Sequence, residues 1–457
     1  MAVWSIIKKN NLEYSRLDPE YYKYKFLEND SFLTSIEVKT YQQLSKSLIT
    51  KGETPLWRGD SYKSQGIPFL RSENLLPLGL NLDKVVYIDK NVNERMARSK
   101  VYPNDILLAI VGATIGVSGR ATNEFSEYNT NQANAIIRPL NEKYSYYFAI
   151  LNETKFIQLQ MERFKGGGSR DNLDLHEVRK IKVPIPSKNI LDFSYTSGKQ
   201  IDILRKKSKL LYSQAEQILL EELRLKDLDL KDDLFCTTTL KEVKDNNRMD
   251  TEYYLPKYEK LMEHIFNFEH IPLGKLAKFK KGVEPGSDKY FKTGKPFLRV
   301  SNLSKFEIIN NNQKYLENNL YMQLKKSYEP KKGEILLSKD ATPGVAYVLK
   351  ESIEGIISSG ILRLEISSSI KKEYLALIIN SQIGQMQMKR DSGGSVINHW
   401  KIEEIKNLKV PLLADNIQEK IENLCCESFS KRKQAKELLE EAKYKVEEMI
   451  KKEAGVK

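Results

Sequence analysis

The chain has 457 residues, with 74 Lys plus Arg against 61 Asp plus Glu, a net charge of +13, 30% charged residues and 40% hydrophobic ones. At ~150 residues per domain that length points to about three units and more than one sizeable core, in a soluble, basic, globular protein. A single small module is excluded, and the positive surplus fits either a polyanionic partner such as nucleic acid or solubility alone.

Taken from the N-terminus, the opening MAVWSIIKKN lacks the basic start, apolar core and small-residue cleavage site of a secretory signal. The longest apolar stretch, Ile106–Val117, is interrupted by Gly112 and Gly116 and falls short of the ~18–20 residues of a membrane span. Three cysteines, Cys236, Cys425 and Cys426, are too few and too badly spaced for a disulfide framework or a zinc ribbon. A cytoplasmic protein without membrane contact is expected.

The first motif is R-L-D-P-E-Y-Y, Arg16–Tyr22, followed by I-P-F-L-R-S-E-N-L, Ile67–Leu75. Lys84–Ile88, Asp105–Gly112 and Ala135–Pro139 are short apolar runs bounded by Gly, Pro and Asn, which predicts buried strands, and Tyr144–Arg163 has helical spacing. Beyond Pro184-Ile-Pro186 proline disappears and a charged helix is predicted from about Asn189 to Lys226.

The same order then repeats. R-M-D-T-E-Y-Y stands at Arg248–Tyr254, offset 248 − 16 = 232, and K-P-F-L-R-V-S-N-L at Lys295–Leu303, offset 296 − 68 = 228. Pro103–Leu108 matches Lys332–Leu337, Ala113–Val117 matches Ala341–Val345, Gly167–Ser169 matches Gly393–Ser395, and Ile181–Pro184 matches Leu408–Pro411. The second helix is predicted from Asn416 to Glu453, offset 416 − 189 = 227. Collinear matches with slowly drifting offsets mark a tandem duplication whose repeat is a whole domain plus its connection.

The helices carry narrow apolar seams: Ile201, Leu204, Leu211, Ala215 and Ile218 in the first, Leu424, Ala435, Leu438, Ala442 and Val446 in the second. Small residues recur at matched places, Ser208 with Ala435 and Ala215 with Ala442, so two such helices can approach closely. At ~1.5 Å per residue each helix is roughly 57 Å long. Its stripe needs a partner, and a two-fold-related pair sharing one seam is antiparallel. The expected class is α+β: two mixed α/β domains with small twisted sheets, separated by two long helices pairing as an antiparallel coiled coil, with pseudo-two-fold symmetry.

Catalytic signatures are missing. No G-x-x-x-x-G-K-[ST] loop exists, no Pro-Pro pair is present to build the Asn/Asp-Pro-Pro-aromatic loop of adenine methyltransferases, and no Pro-Asp pair opens a nuclease motif. His176, His264, His270 and His399 are scattered, without metal-ligand spacing. The repeated L-R-x-x-N-L places Arg71 and Asn74, and Arg299 and Asn302, at a strand exit, where Arg can fork onto guanine, Asn can pair with adenine and either can hold a phosphate. The structural alternative is an Arg anchoring a turn that the Asn caps, which suits identical residues in both copies. The Gly-rich turns, with Lys165, Ser169 and Arg170 in the first and Ser392, Ser395 and Asn398 in the second, suit phosphate contact or simple flexibility. Arg58 and Lys63 in one variable polar stretch, Lys280 in its counterpart, and Lys339 complete the candidate DNA-contacting set.

The ensemble resembles the specificity subunit of type I restriction–modification systems. The resemblance rests on the duplicated order of domain then helix, on P-F-L-R-x-x-N-L, on D/E-I-L-L-x-x-x-x-A-T-x-G, and on the G-G-S to V-P boundary before each helix; R-x-D-x-E-Y-Y also looks like a subset of that family. The family's P-P-L-x-E-Q helix start is reduced here to Pro184-Ile-Pro186-Ser187 and Pro411-Leu-Leu413, with Gln418 near its place in the second copy. The resemblance implies a leading segment 1–30, target-recognition domain 1 at 31–187, a central spacer helix at 188–232, a second leading segment 233–262, target-recognition domain 2 at 263–411 and a C-terminal spacer helix at 412–457. It further implies a non-catalytic reader of a bipartite, asymmetric double-stranded DNA target. That reader docks two DNA methyltransferase subunits and restriction/translocase subunits, with no cofactor of its own: S-adenosylmethionine, ATP and Mg belong to those partners. Two other readings stay open, the recognition subunit of a fused restriction and methylation enzyme and a coiled-coil scaffold that binds no DNA.

Overall fold

A computed structural model describes residues 6–7, 12, 16–55, 59–83, 85–165, 172–230, 236–310, 312–392 and 399–455. Two compact units emerge, Met1–Arg205 with Arg432–Lys457, and Lys206–Lys431. Both divisions fall inside a long helix, between Arg205 and Lys206 in the first and between Lys431 and Arg432 in the second, 431 − 205 = 226 residues apart and so within one residue of the 227 offset that relates the two helices in sequence.

In the first unit, strands Thr50–Lys51, Asn134–Ile137, Ile106–Ala109 and Ser118–Arg120 lie side by side in that order, all antiparallel. Ile106–Ala109 is buried on both faces. Its period of two sends Ile106 and Leu108 into a core with Tyr146, Tyr147 and Phe148, and Leu107 and Ala109 into another with Leu70, Val101 and Tyr128. A second sheet orders Val86–Ile88, Ile67–Leu70, Tyr128–Thr130 and Lys100–Val101, with Ile67–Leu70 and Tyr128–Thr130 parallel. Val38–Thr40 pairs with Lys182–Pro184, closing the domain just before the first long helix.

The second unit repeats this plan. Ala277–Lys281, Ile361–Ile366, Ile335–Ser338 and Ala346–Val348 form the antiparallel sheet, and Ile335 and Leu337 again face one core while Leu336 faces the other. Lys314–Leu316, Lys295–Leu298 and Ile356–Ile357 form the sheet with the parallel pair, and His270–Pro272 pairs with Lys409–Pro411. The D/E that opens each I-L-L strand is a turn anchor. Asp105 accepts from the Tyr102 amide at 2.9 Å and pairs with Arg138 at 3.1 Å; Glu334 accepts from the Lys331 amide at 2.8 Å and pairs with Arg363 at 3.1 Å.

The single helix predicted over Tyr144–Arg163 is two helices, Glu142–Leu151 and Lys155–Phe164. Thr154 is extended, its hydroxyl donates to the Leu151 carbonyl at 2.6 Å, and Gln158 Nε2 caps the Asn152 carbonyl at 2.6 Å. The second copy breaks identically, at Ser381, whose hydroxyl donates to Ile378 at 2.7 Å, with Gln385 capping Ile379 at 3.0 Å.

The long helices run Lys188–Glu222 and Asp415–Glu453. The first stops short of Lys226 because Arg224 takes φ +48, outside the right-handed helical range. In the first unit Ile190 and Ile201 share a core with Ala435, Leu439, Ala442, Val446 and Ile450. In the second, Tyr212, Ala215, Leu219 and Leu223 share one with Ile421 and Cys425. Early residues of each helix thus meet late residues of the other, which is antiparallel packing. Ile201, Leu211, Ala215, Ala435, Ala442 and Val446 are buried, while Leu204, Ile218, Leu424 and Leu438 are partly buried at the edge of the seam. In the second unit Ser428 donates to the Ser208 carbonyl at 2.7 Å, and the two hydroxyls lie 3.1 Å apart with neither side chain exposed. Only small residues allow that closeness. Among the described residues no helix is long and apolar enough to cross a membrane, and no group of three His, Cys, Asp or Glu is arranged to hold a metal ion.

Candidate nucleic-acid interface

The repeated Arg/Asn turn has the same hydrogen-bond ring in both units. The Arg71 amide donates to Asn74 Oδ1 at 2.8 Å, the Asn74 amide donates to the Arg71 carbonyl at 2.8 Å, Asn74 Nδ2 donates to the Asn81 carbonyl at 3.0 Å, and the Asn81 amide returns to Asn74 at 2.8 Å. Arg299, Asn302 and Ile309 repeat these four bonds at 3.1, 2.8, 2.9 and 2.8 Å. Asn74 and Asn302 are buried, with both ends of the amide occupied. In this structure they close the loops 74–81 and 302–309, the capping role that is the structural alternative for this motif. Each strand leading into the ring begins beside a glycine at positive φ, Gly66 at +132 and Gly294 at +131, where an added Cβ would press on the neighbouring strand's carbonyl at 2.6 and 2.4 Å.

The guanidiniums remain at the rim. Arg71 Nη2 meets Glu73 at 2.5 Å with a third of the side chain exposed, and Arg299 Nη2 donates to the Asn312 carbonyl at 2.6 Å. In both, Nε is buried and has no partner among the described residues. The candidate lysines sit beside carboxylates, Lys63 3.8 Å from Asp89, Lys280 2.7 Å from Glu365 and Lys339 2.5 Å from Asp340. Lys280 draws the exposed Glu365 carboxyl below its ordinary range. A phosphate at these positions competes with a local acid, which biases them toward exchangeable contacts.

R-x-D-x-E-Y-Y was legible as a repeat without a role, and the structure supplies one. Arg16 pairs with Asp18 at 2.9 Å, lies 4.4 Å from the Tyr21 ring centroid, and donates to the carbonyls of Arg163 at 3.5 Å and Lys165 at 3.3 Å, while Tyr22 closes the motif by donating to the Arg16 carbonyl at 2.7 Å. Arg248 repeats this with Asp250 at 2.6 Å, Tyr253 at 4.9 Å, the Asp391 carbonyl at 2.9 Å and Tyr254 at 2.8 Å. The hydrogen bond from each arginine holds Asp18 and Asp250 ionised, below the usual carboxylate range. Each cation therefore neutralises the carbonyl end of the helix that precedes a Gly-rich segment of the sequence. Lys165 and Ser392 are the last described residues before those segments. Arg58, Ser169, Arg170, Ser395 and Asn398 lie outside the described residues.

The copies part company at the exit of the I-L-L strands. In the second, Asp340 Oδ1 accepts from His399 Nδ1 at 2.8 Å while its other oxygen takes Lys339, and the imidazole is largely exposed. A backbone β-bridge also pairs Asp340 with His399, and in the first copy the corresponding backbone bridge joins Val111 to Asn172, neither of which carries a charge. His399, one of four scattered histidines in the sequence, is brought by the fold to Asp340, 59 residues earlier.

Residues 3–213 and 265–423 match the family model described as type I restriction modification DNA specificity domain. The type I restriction enzyme MjaIX specificity subunit of Methanocaldococcus jannaschii is 24% identical over 265 residues, covering 56% of this chain and 56% of that protein, so the chain spans about half the length of the curated relative it matches. Among solved structures, the type I restriction-modification S subunit from M. genitalium aligns over 91% of this chain and 95% of that one at 14% identity and TM-score 0.37. The HsdS subunit from Thermoanaerobacter tengcongensis aligns over 92% and 96% at 12% identity and TM-score 0.29.

Proposed function

The chain belongs to the type I restriction–modification DNA specificity family, and from that premise we propose that it reads a bipartite DNA target, one half per recognition domain, for partner subunits that methylate and cleave. The observation that carries this reading is the duplication of a whole domain with a shared scaffold and differing rims: the Asn-closed loops recur bond for bond and each arginine clasp again reaches the carbonyl end of a helix, while Asp340 and His399 of the second copy stand where the first has Val111 and Asn172. Identical framework holds the fold; differing rims suit two different half-sites. The paired helices are the part of the fold on which the distance between half-sites and the seating of two methyltransferase subunits would depend. The chain itself is a recognition subunit, and S-adenosylmethionine, ATP and Mg would act in its partners.

The test is a map of modified bases in host DNA with and without the gene, followed by replacement of residues 31–187 with another recognition domain. A bipartite adenine motif that disappears with the gene, and of which one half alone changes on replacement, is expected. Change in both halves, or binding of DNA by the purified complex that does not weaken steeply with salt, refutes the reading.

A further inference from the structure

Each recognition domain meets its own stretch of long helix through a cation, buried in the first copy and one-third exposed in the second, an acid and an aromatic ring, and the acid and the ring have exchanged places between the copies. In the first unit Arg120, buried on strand Ser118–Arg120, lies 4.1 Å from the ring centroid of Tyr146 and pairs with Asp202 on the first long helix, whose Oδ2 also accepts from the Tyr146 hydroxyl at 2.5 Å. In the second unit Lys350, just past strand Ala346–Val348, lies 4.2 Å from the ring centroid of Phe429 on the second long helix and pairs with the buried Glu373.

The positions correspond: 373 − 146 = 227 and 429 − 202 = 227. The neighbouring tyrosines fix that register, because Tyr147 donates to the Pro184 carbonyl at 2.8 Å and Tyr374 to the Pro411 carbonyl at 2.9 Å. So the domain offers a ring and the helix an acid in the first copy, and the reverse in the second. Gly198 adds a second difference. A Cβ there would sit 2.1 Å from the Tyr146 ring, and its counterpart 227 residues on is Cys425.

We propose that this exchange is a selectivity device: each stretch of long helix accepts its own recognition domain and rejects the other, whether from the same chain or from a second copy. The first domain on the second stretch would set Tyr146 against Phe429 and leave the Arg120 cation buried with no acid. The second domain on the first stretch would set Glu373 against Asp202, two carboxylates sharing one cation. Both arrangements strand a buried charge, whereas each native pairing satisfies it. The inference does not depend on what the domains bind.

Two experiments on the full chain decide it. Tyr146→Glu and Asp202→Phe are each expected to lower the unfolding midpoint by roughly 6–20 °C, and the double variant, which gives the first joint the second joint's arrangement of acid on the domain and ring on the long helix, to recover more than half of that loss. Losses that simply add overturn the proposal. Should either single variant fail to fold, the cycle is run with Tyr146→Phe and Asp202→Asn, where coupling is again expected and additivity again refutes. In the second experiment, residues 31–187 are replaced by residues 263–411, and limited proteolysis of that joint is followed with and without Asp202→Phe. Rapid cleavage that Asp202→Phe slows at least tenfold supports the selectivity device. A graft as resistant as the parent, or one that Asp202→Phe does not protect, overturns it.

Discussion

Replacing Asn74 by Ala separates a turn-closing role from base reading. The side chain accepts from the Arg71 amide at 2.8 Å and donates to the Asn81 carbonyl at 3.0 Å inside a turn where it is almost wholly buried. Truncation leaves a backbone donor and a backbone acceptor without partners, at about 1–3 kcal/mol each. With partial entry of water the net loss is about 3 kcal/mol, and for a unit of this size that lowers the melting midpoint by ~6–12 °C. Asn302→Ala, with bonds of 3.1 and 2.9 Å, should lose a similar amount in the second unit. The assay is thermal unfolding of the purified protein alongside the methylation motif it directs. Unchanged melting together with relaxed discrimination in one half of the motif would sink the structural account and favour DNA contact by Asn74.

Glu153 is pushed up to about 7, chiefly by burial, with Arg205 and Lys443 opposing and Glu440 reinforcing the shift. Its folded form holds a proton that the unfolded chain releases above pH ~4.5, so stability falls as pH rises from ~4.5 to ~7, by up to about 3 kcal/mol. Glu153→Gln should match the parent near pH 4.5 and melt higher at pH 8; equal melting at both values refutes this. Gly198→Ala drives a methyl group against the Tyr146 ring and should cost ~1–3 kcal/mol, read as a lower midpoint of denaturant unfolding; no loss would mean that the ring moves freely.

The duplication, the strand at Ile106–Ala109 and the two long helices were legible because each rests on periodicity or on literal repetition. The seam was legible in outline: its small residues stood out, but buried Leu219, Leu439 and Cys425 escaped because a strict heptad register does not follow a helix of 3.6 residues per turn. The break at Asn152–Thr154 escaped because hydroxyl and amide caps make it within an otherwise helical apolar pattern. Roles that need distant partners were invisible. Arg16 was a repeated letter until the fold set it on Arg163 and Lys165, and the exchanged pair 146 and 202 has meaning only when strand, domain helix and long helix converge. Identical Arg and Asn residues in both copies were the one clue that separated scaffold from rim.

The division of the units inside both long helices also sets an order of assembly at the ribosome. The second unit is one continuous stretch, Lys206–Lys431, whereas the core of the first incorporates Ala435, Leu439, Ala442, Val446 and Ile450. Residues up to Arg205 therefore emerge with an apolar face still waiting for a strip that is translated after the whole second unit, a delay of about 10–45 s at ~5–20 residues per second. The domain that is made first finishes last, and the nascent chain carries its exposed Ile190 and Ile201 surface through the synthesis of its own second half.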